Sequence, residues 1–135
     1  MNDCIFCQII EHHIPSYKIY EDEHVYAFLD ISQATKGHTL VVPKKHCRNI
    51  LDADPETVSQ VFAAVAKIAV HLKDKLHADG INVTTNAEPS AGQVVFHWHV
   101  HILPRYNDMD GYQQIFDNTE PTTETLVALA ETIAL

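Results

Sequence analysis

One stretch of the chain alternates without a break between apolar residues and histidines: Phe96-His97-Trp98-His99-Val100-His101-Ile102. In a strand, successive side chains point to opposite faces, so His97, His99 and His101 would share one face. In a helix, the middle histidine would lie off the face that the outer two share. The alternation therefore predicts a strand with an imidazole face and an apolar face, the latter packed against a helix.

The three imidazoles cannot all bind one metal ion if this strand is regular. Alternate Cα atoms of a strand are about 6.6 Å apart, so the outer two histidines would be separated by about 13 Å. One ion can therefore take two neighbours and leave a third for another role. Three interpretations stay open: a solvent-facing polar strand, a metal site of two histidines, and a nucleophilic or anion-handling site. Three imidazoles on one rigid face favour the last.

The pattern around this strand predicts an α+β fold with a largely antiparallel sheet, because strands occur in runs and helices are few. We expect strands over residues 18–21, 25–29, 39–43, 81–85 and 94–103. Short helices are expected over residues 4–11, capped by Asp3, and over residues 122–134. A long amphipathic helix should begin at Asp54-Pro55 and end at Gly80. Its apolar positions recur at spacings of three and four: Val58, Val61, Phe62, Val65, Ile68, Ala69, Leu72 and Leu76.

Length and charge limit the classes of function. The 135 residues fit one domain, and 9 basic against 18 acidic residues give a formal net charge of −9. So acidic a chain is a poor candidate for binding nucleic acid through its phosphates. No apolar run reaches the ~18 residues of a membrane span, and the first four residues lack the features of a signal peptide. We therefore expect a cytoplasmic protein with neither a membrane nor a nucleic-acid partner.

The chain has three cysteines, Cys4, Cys7 and Cys47, and an odd number argues against a disulfide framework. Cys4 and Cys7 form a C-x-x-C pair, which suits a redox motif or half of a zinc site. The redox interpretation is disfavoured because only three residues precede the pair, whereas a thioredoxin-like motif follows a strand. Two small buried residues on a short helix are the remaining alternative.

A polar loop over residues 86–93 leads into the histidine strand and contains Gly92. Glycine lets the backbone approach a ligand closely, and backbone N–H groups in such a loop can hold phosphate oxygens. On its own this would be an ordinary hairpin loop, but beside three histidines it is a candidate phosphate site. The chain has neither G-x-x-x-x-G-K-[ST] nor G-x-G-x-x-G, so phosphate binding by those routes is not expected.

The histidine stretch resembles the signature of the histidine triad (HIT) family, His-φ-His-φ-His-φ-φ, which here runs from His97 to Leu103. The similarity continues, in family order, over residues 30–32, residues 36–46, Asn86 and residues 91–93. Residues 4–7 resemble the N-terminus of bacterial-type members of the Hint branch. The resemblance implies a single HIT domain over 1–135, with a core over 4–106 and a variable C-terminal tail and helix over 107–135.

The resemblance implies a five-stranded antiparallel sheet with one long and two short helices, and a homodimer that joins two sheets into ten strands. It also implies hydrolysis of purine nucleoside phosphoramidates by attack on the α-phosphorus, with an amine as leaving group. His99 would be the nucleophile and would carry a covalent nucleotidyl group. His101 would assist the leaving group, and His97 and His38 would support the site.

The resemblance also places the nucleotide. Asp30 would take the ribose hydroxyls, with Ile31 beside the base. The phosphate path would be lined by Asn86, Gly92, Gln93 and the backbone N–H of Val94. Many Hint relatives have Ser at the position of Val94, so a hydroxyl donor to the phosphate is absent here. We expect an active enzyme with an altered rate or leaving-group preference.

Related members with the C-x-x-C pair bind zinc through two cysteines and two histidines. The resemblance therefore implies a structural zinc site made of Cys4, Cys7, His46 and His97. Such a site would tie the N-terminal helix to the sheet and hold His97 still. A pair of cysteines without metal is the alternative, and no organic cofactor is expected.

Two further functions stay open beside the phosphoramidate hydrolase. A dinucleoside polyphosphate hydrolase would use the same nucleophile with a phosphate leaving group. A nucleotide-binding signalling module would use the site without turnover. The complete set of His97, His99 and His101 favours catalysis over binding alone.

Overall fold

The computed structural model describes residues 3–135; Met1 and Asn2, which the predicted domain also includes, lie outside the described residues. The chain forms one sheet with the strand order β1-β2-β3-β5-β4, and every neighbouring pair is antiparallel. The elements are α1 (Ile5–Ile10), β1 (Lys18–Glu21), β2 (Val25–Leu29), β3 (Thr39–Pro43), α2 (Pro55–Leu76), β4 (Gly80–Thr85), β5 (Val100–Arg105) and α3 (Thr123–Ile133). The predicted α+β class, with five antiparallel strands and three helices, is confirmed.

Two apolar layers cover the two faces of the sheet. On one face, Val25, Ala27 and Val41 pack with the buried stripe of α2 and with Trp98, Val100 and Ile102. On the other face, α1 contributes Phe6 and Ile9 to a smaller cluster with strand residues that alternate with the first set: Tyr26, Phe28, Leu40 and Val42. The sheet is therefore buried from both sides at its centre, which explains why β2 and β3 are apolar without alternation.

The long helix α2 begins as predicted and ends earlier. The Asp54 side chain accepts a hydrogen bond from the backbone N–H of Thr57 at 2.8 Å, and Pro55 occupies the first turn. The prediction that Gly80 ends this helix is wrong. His77 closes it instead in the left-handed conformation, with φ of 54° and its N–H directed at the Asp74 and Lys73 carbonyls. Gly80 is the first residue of β4.

The histidine strand is regular over only half of the predicted length. β5 begins at Val100, not at residue 94. The ladder with β3 stops at the pair Val41–Val100, because the backbone groups that come next make other hydrogen bonds. The backbone N–H of Trp98 donates to the Cys47 carbonyl at 2.8 Å. The His97 side chain donates from Nε2 to the Pro43 carbonyl, also at 2.8 Å. The bends before β5 turn the His97 ring away from the rings of His99 and His101, which lie side by side.

The two short helices differ in how they are held. α1 is capped by Cys4, whose sulfur accepts from the Cys7 N–H at 3.4 Å, so the predicted Asp3 cap is wrong. α3 is capped by Thr122, and all of its side chains are exposed. Between residues 3 and 135, none of the helices is both long enough and apolar enough to cross a membrane.

Candidate active site

A cavity of about 560 Å³ opens between α1, β2 and the loop that leads into β5. Its volume is within the usual range for a small-molecule site. One part of its wall is apolar and includes Ile5, Phe6, Ile9, Phe28 and Leu40. Another part carries polar groups, among them those of Asp30, Ser32, Asn86, His99 and His101.

His99 faces this cavity with its tautomer fixed. Its Nδ1 lies 2.7 Å from the His97 carbonyl oxygen, and a carbonyl only accepts, so Nδ1–H donates. The lone pair is left on Nε2. Burial lowers the pKa of His99, which keeps the ring neutral at neutral pH. The backbone is held as well, because the Thr85 hydroxyl donates to the His99 carbonyl at 2.7 Å.

His101 lies beside His99, with the ring centroids 5.0 Å apart. Its Nδ1 is 2.9 Å from Nε2 of His38, which is buried behind it. Burial lowers the pKa of His101 to about 4, so this ring is neutral at pH 7 and acts through hydrogen bonds. Asp30 completes the group, with Oδ2 3.7 Å from the same nitrogen of His38.

The loop over residues 86–94 brings Asn86, Gly92 and Val94 to the cavity wall. Gly92 has a φ of 90°, a conformation that suits glycine, and its N–H is already donated to the Pro89 carbonyl at 2.9 Å. The Gln93 N–H is directed at the Glu88 carbonyl. Among residues 3–135, none accepts a hydrogen bond from the Val94 N–H, which is therefore a loop donor available to a ligand.

A polar network with two buried members, Asn49 and Gln93, holds this loop, and sequence reasoning missed it. The Gln93 side chain turns away from the cavity, accepts from the Glu88 N–H at 2.8 Å and donates to the Arg48 carbonyl at 2.7 Å. Glu88 binds the Arg48 guanidinium through both oxygens and accepts from Asn49. Glu88 itself has a φ of 76°, which is strained for a residue with a side chain. The contacts span about 40 residues of sequence, so no local pattern could reveal them.

His97 points away from the cavity and joins Cys4, Cys7 and His46. Their Sγ and Nδ1 atoms all lie within 4.8 Å of one another. Measured separations are 3.4 Å from Cys4 Sγ and 3.5 Å from Cys7 Sγ to His97 Nδ1, and 3.1 Å between the two Nδ1 atoms. Ligand atoms about 2.0–2.3 Å from a tetrahedral zinc ion would be about 3.3–3.8 Å apart.

The protonation pattern of this cluster also suits a cation. His97 Nε2–H donates to the Pro43 carbonyl, which leaves the Nδ1 lone pair directed at the sulfurs. Desolvation lowers the pKa of His97 to about 4, so the ring is neutral. Two cysteine sulfurs and two imidazoles therefore fit zinc, with His46 on the exposed side.

Of the residues predicted to be catalytic or to bind the nucleotide, seven line the cavity and three lie elsewhere. Asp30, Ile31, Asn86, Gly92, Val94, His99 and His101 line it. His38 lies behind His101, His97 belongs to the Cys/His cluster, and the Gln93 side chain belongs to the loop network. The apolar wall was not predicted. Phe6 is its central member, with its ring edge-on to His99 at 5.2 Å between centroids, and its position between two cysteines was the available signal.

A model of the HIT domain matches residues 11–108. The chain belongs to the HIT domain family. Among the relatives of this HIT protein is "Protein hit" of Bacillus subtilis, which is 53% identical over 114 residues, 84% of this chain and 79% of that protein. The "Adenylylsulfatase HINT3" of Arabidopsis thaliana is 36% identical over 104 residues, 77% of this chain and 53% of the plant protein.

Solved structures agree with the HIT fold over nearly the whole chain. A HIT family member from Bacillus subtilis is 47% identical with a TM-score of 0.94, covering 98% of this chain and 96% of that one. A histidine triad nucleotide-binding protein from Candida albicans is 31% identical with a TM-score of 0.89, covering 97% and 94%. A zinc-bound histidine triad family protein from Mycobacterium smegmatis is 42% identical with a TM-score of 0.78, covering 85% and 84%.

Proposed function

We propose that this HIT protein is a nucleotide hydrolase that attacks the α-phosphate of purine nucleoside phosphoramidates through His99. The observation that carries the proposal is the hydrogen bond from His99 Nδ1 to the His97 carbonyl. It leaves the Nε2 lone pair of a neutral imidazole in a cavity of nucleotide size. The nucleotide-binding relative from Candida albicans and the adenylylsulfatase from Arabidopsis thaliana support this class of activity.

The reaction proceeds in two displacements. The Nε2 lone pair of His99 forms a bond to the α-phosphorus while the bond from phosphorus to the leaving amine breaks. A proton from solvent reaches the amine nitrogen as this bond breaks, and His101, the neutral neighbour of His99 in the cavity, is placed to relay it. Water next breaks the phosphorus–nitrogen bond of nucleotidyl-His99 and releases the nucleoside monophosphate.

The cavity has a separate region for each part of the nucleotide. The apolar wall around Phe6 and Phe28 suits the base, and Asp30 offers a carboxylate to the ribose hydroxyls. The Val94 N–H faces the phosphate in the place of a hydroxyl donor. Because the Val94 side chain is 82% exposed and apolar, it adds no hydrogen bond of its own. We propose that His38 supports His101 and that Asn86 and Gly92 shape the phosphate path.

The Cys/His cluster supports a structural role for zinc. Held by Cys4, Cys7, His46 and His97, zinc would supply a cross-link between α1 and the segments around β3 and β5. The zinc-bound relative from Mycobacterium smegmatis supports the same proposal. His97 would then support catalysis through its carbonyl, which orients His99.

We further propose a homodimer in which two sheets join along β4. β4 and β1 are the two edges of the sheet. The pairing of β1 is disturbed by a register shift between Lys18 and Tyr20, whereas β4 pairs continuously from Gly80 to Thr85. An uninterrupted edge is the better surface for pairing with a second copy. The cytoplasmic location, and the absence of nucleic-acid and membrane partners, stay predictions of the sequence.

The test is hydrolysis of adenosine 5′-phosphoramidate by wild-type protein and by His99→Ala. We expect the variant to lose at least about 10³-fold in turnover, as when a covalent nucleophile is removed. His71→Ala, a change at an exposed histidine of α2, should retain wild-type turnover. Equal rates for wild type and His99→Ala would contradict the assignment of the nucleophile.

The leaving group is tested with three substrates in parallel: an adenosine phosphoramidate, adenylyl sulfate and a dinucleoside tetraphosphate. The proposal predicts the highest kcat/KM for the phosphoramidate. A higher value for the dinucleoside tetraphosphate would identify the second enzyme instead. Binding of all three without turnover would identify a signalling module.

A further inference from the structure

A second set of metal-ligating atoms lies at the polar end of the cavity, separate from the Cys/His cluster. We propose that Asp30, His38 and His101 form a reversible site for a zinc-class divalent cation, here named the Asp/His/His site. One carboxylate oxygen and two imidazole nitrogens converge within 4.8 Å of one another. Two histidines and one carboxylate are a donor set that first-row divalent metals favour.

The distances between the donor atoms fit one small cation. His38 Nε2 is 2.9 Å from His101 Nδ1 and 3.7 Å from Asp30 Oδ2. Ligands about 2.0–2.2 Å from a tetrahedral zinc ion would be about 3.3–3.6 Å apart, which is between the two observed values. Shifts of a few tenths of an ångström would therefore bring these two pairs of atoms to the separations that a zinc ion needs.

Hydrogen bonds to the outer atoms already orient two of the three ligands. His38 Nδ1 lies 3.2 Å from the Ser32 carbonyl and 3.3 Å from the backbone nitrogen of Ala34, and these contacts fix the ring so that Nε2 is directed at His101 and Asp30. Asp30 Oδ1 accepts from the Ser32 N–H at 2.7 Å, which directs Oδ2 at His38. Such outer contacts to carbonyl and N–H groups are typical of metal ligands in proteins.

The backbones that carry these ligands are also held together. The Gln33 side-chain amide donates to the Asp30 carbonyl at 2.6 Å and to the His38 carbonyl at 2.8 Å. The Asp30 N–H donates to the same His38 carbonyl at 3.0 Å. The ligands are therefore preorganised, which lowers the entropic cost of binding a cation.

A cation can bind this site without the release of a proton from His38 or His101. One proton is shared between His38 Nε2 and His101 Nδ1 in the metal-free pair. A cation takes both lone pairs, and the proton moves to Nε2 of His101. The three protein ligands leave a fourth position, which faces the cavity that Asp30 and His101 line.

Metal at this site would inhibit the reaction, a consequence that rests on the proposed function. The ion would bind the nitrogen of His101 and the carboxylate of Asp30. His101 could then not assist the leaving amine, and Asp30 could not bind the ribose hydroxyls. Binding at the Cys/His cluster would leave both residues unaffected. The two sites thus predict opposite effects of one metal: the first equivalent supports the fold and the second blocks turnover.

The experiment titrates Co²⁺ into protein that has been loaded with one equivalent of zinc. We expect a second equivalent of metal to bind, with the visible bands of tetrahedral cobalt and without a thiolate-to-cobalt charge-transfer band. Because no substrate is needed, the result is independent of the proposed function. In Asp30→Asn, which keeps the shape and the bond from Ser32, the affinity for this equivalent should fall at least about tenfold.

The control is His24→Gln, which removes an exposed histidine of the turn between β1 and β2 that is not one of the three ligands, and it should leave the second equivalent unchanged. His38→Ala, which removes a second ligand, provides an independent check. The proposal is overturned if only one equivalent binds, or if Asp30→Asn and His38→Ala both retain wild-type affinity. A thiolate band from the second equivalent, or its loss in His24→Gln, would overturn it as well.

Discussion

His97 links the two parts of the site through one residue. Its imidazole belongs to the Cys/His cluster, and its carbonyl accepts the proton of His99 Nδ1. A shift of the His97 backbone would therefore turn the proposed nucleophile, His99. We therefore propose a positioning role for His97, a histidine of the triad that does not line the cavity.

The ion pair of Glu88 predicts how the stability of the protein depends on pH. The hydrogen bonds from the Arg48 guanidinium lower its pKa. A carboxyl with a lowered pKa in the folded state stabilises the fold above its unfolded pKa of about 4.3. That stabilisation is lost as the pH falls through the folded pKa. Glu88→Gln should therefore unfold at a lower urea concentration than wild type at pH 7, and the two should converge in acid.

Urea unfolding curves between pH 7 and about 3.5 provide the measurement. Turnover of Glu88→Gln should also fall, by less than about tenfold, because the loop that presents the Val94 N–H loses its anchor. Glu120→Gln, a change at an exposed residue before α3, should follow wild type at every pH. A constant gap between Glu88→Gln and wild type down to the lowest pH would contradict the assigned ion pair.

At the scale of elements, α1 depends on the Cys/His cluster. The helix has only six residues, which is too short to be stable by itself, and two of the four ligands belong to it or cap it. At free zinc 1,000 times its Kd, binding to the folded state alone would add about 4 kcal/mol. We expect chelation to lower the Tm of wild type and to reduce its turnover.

Comparing each protein with and without zinc isolates this effect. Cys7→Ser should show little change in Tm on zinc addition, because one ligand is lost. Cys47→Ala should respond as wild type does, since the buried Cys47 is not part of the cluster. A full zinc response in Cys7→Ser would rule out the proposed ligand set.

Sequence patterns predicted the elements whose signals are local. β1, β2 and β3 were predicted with their observed bounds, and the start of α2 was given by Asp54 and Pro55. The end of α2 was not, because a left-handed His77 has no distinctive signature. β5 was predicted too long, because the alternation of the sequence does not show two hydrogen bonds that end the strand ladder. The Pro43 carbonyl bonds the His97 side chain, and the Cys47 carbonyl bonds the backbone N–H of Trp98.

The candidate site also contains some residues that the sequence predicted and others that it did not. The motif predicted His99 and His101 as site residues, and both lie at the cavity. The Arg48–Glu88–Gln93 network was beyond prediction, because it joins segments about 40 residues apart with no repeating pattern. Long-range polar contacts of this kind depend on the assembled fold.

At the scale of the molecule, the proposed dimer predicts the effect of a charge on β4. Val83 is an apolar residue of this edge strand and is 43% exposed. Val83→Lys should shift the protein from dimer to monomer in sedimentation experiments, because a lysine blunts an edge. Leu51→Lys, at a 75% exposed position outside the helices and strands, should stay dimeric. A monomeric wild type, or a dimeric Val83→Lys, would contradict the β4 interface.

The position of β5 between β3 and β4 has a consequence for biosynthesis. β5 is the last strand to be made, yet it lies inside the sheet, and His97 follows His46 by 51 residues. A nascent chain that has emerged only through β4 holds Cys4, Cys7 and His46 without their fourth ligand, and His38 without His101. Translation of residues 97–105 therefore completes the Cys/His cluster, the proposed nucleophile and the sheet together, and a chain stopped before them has none of the three complete.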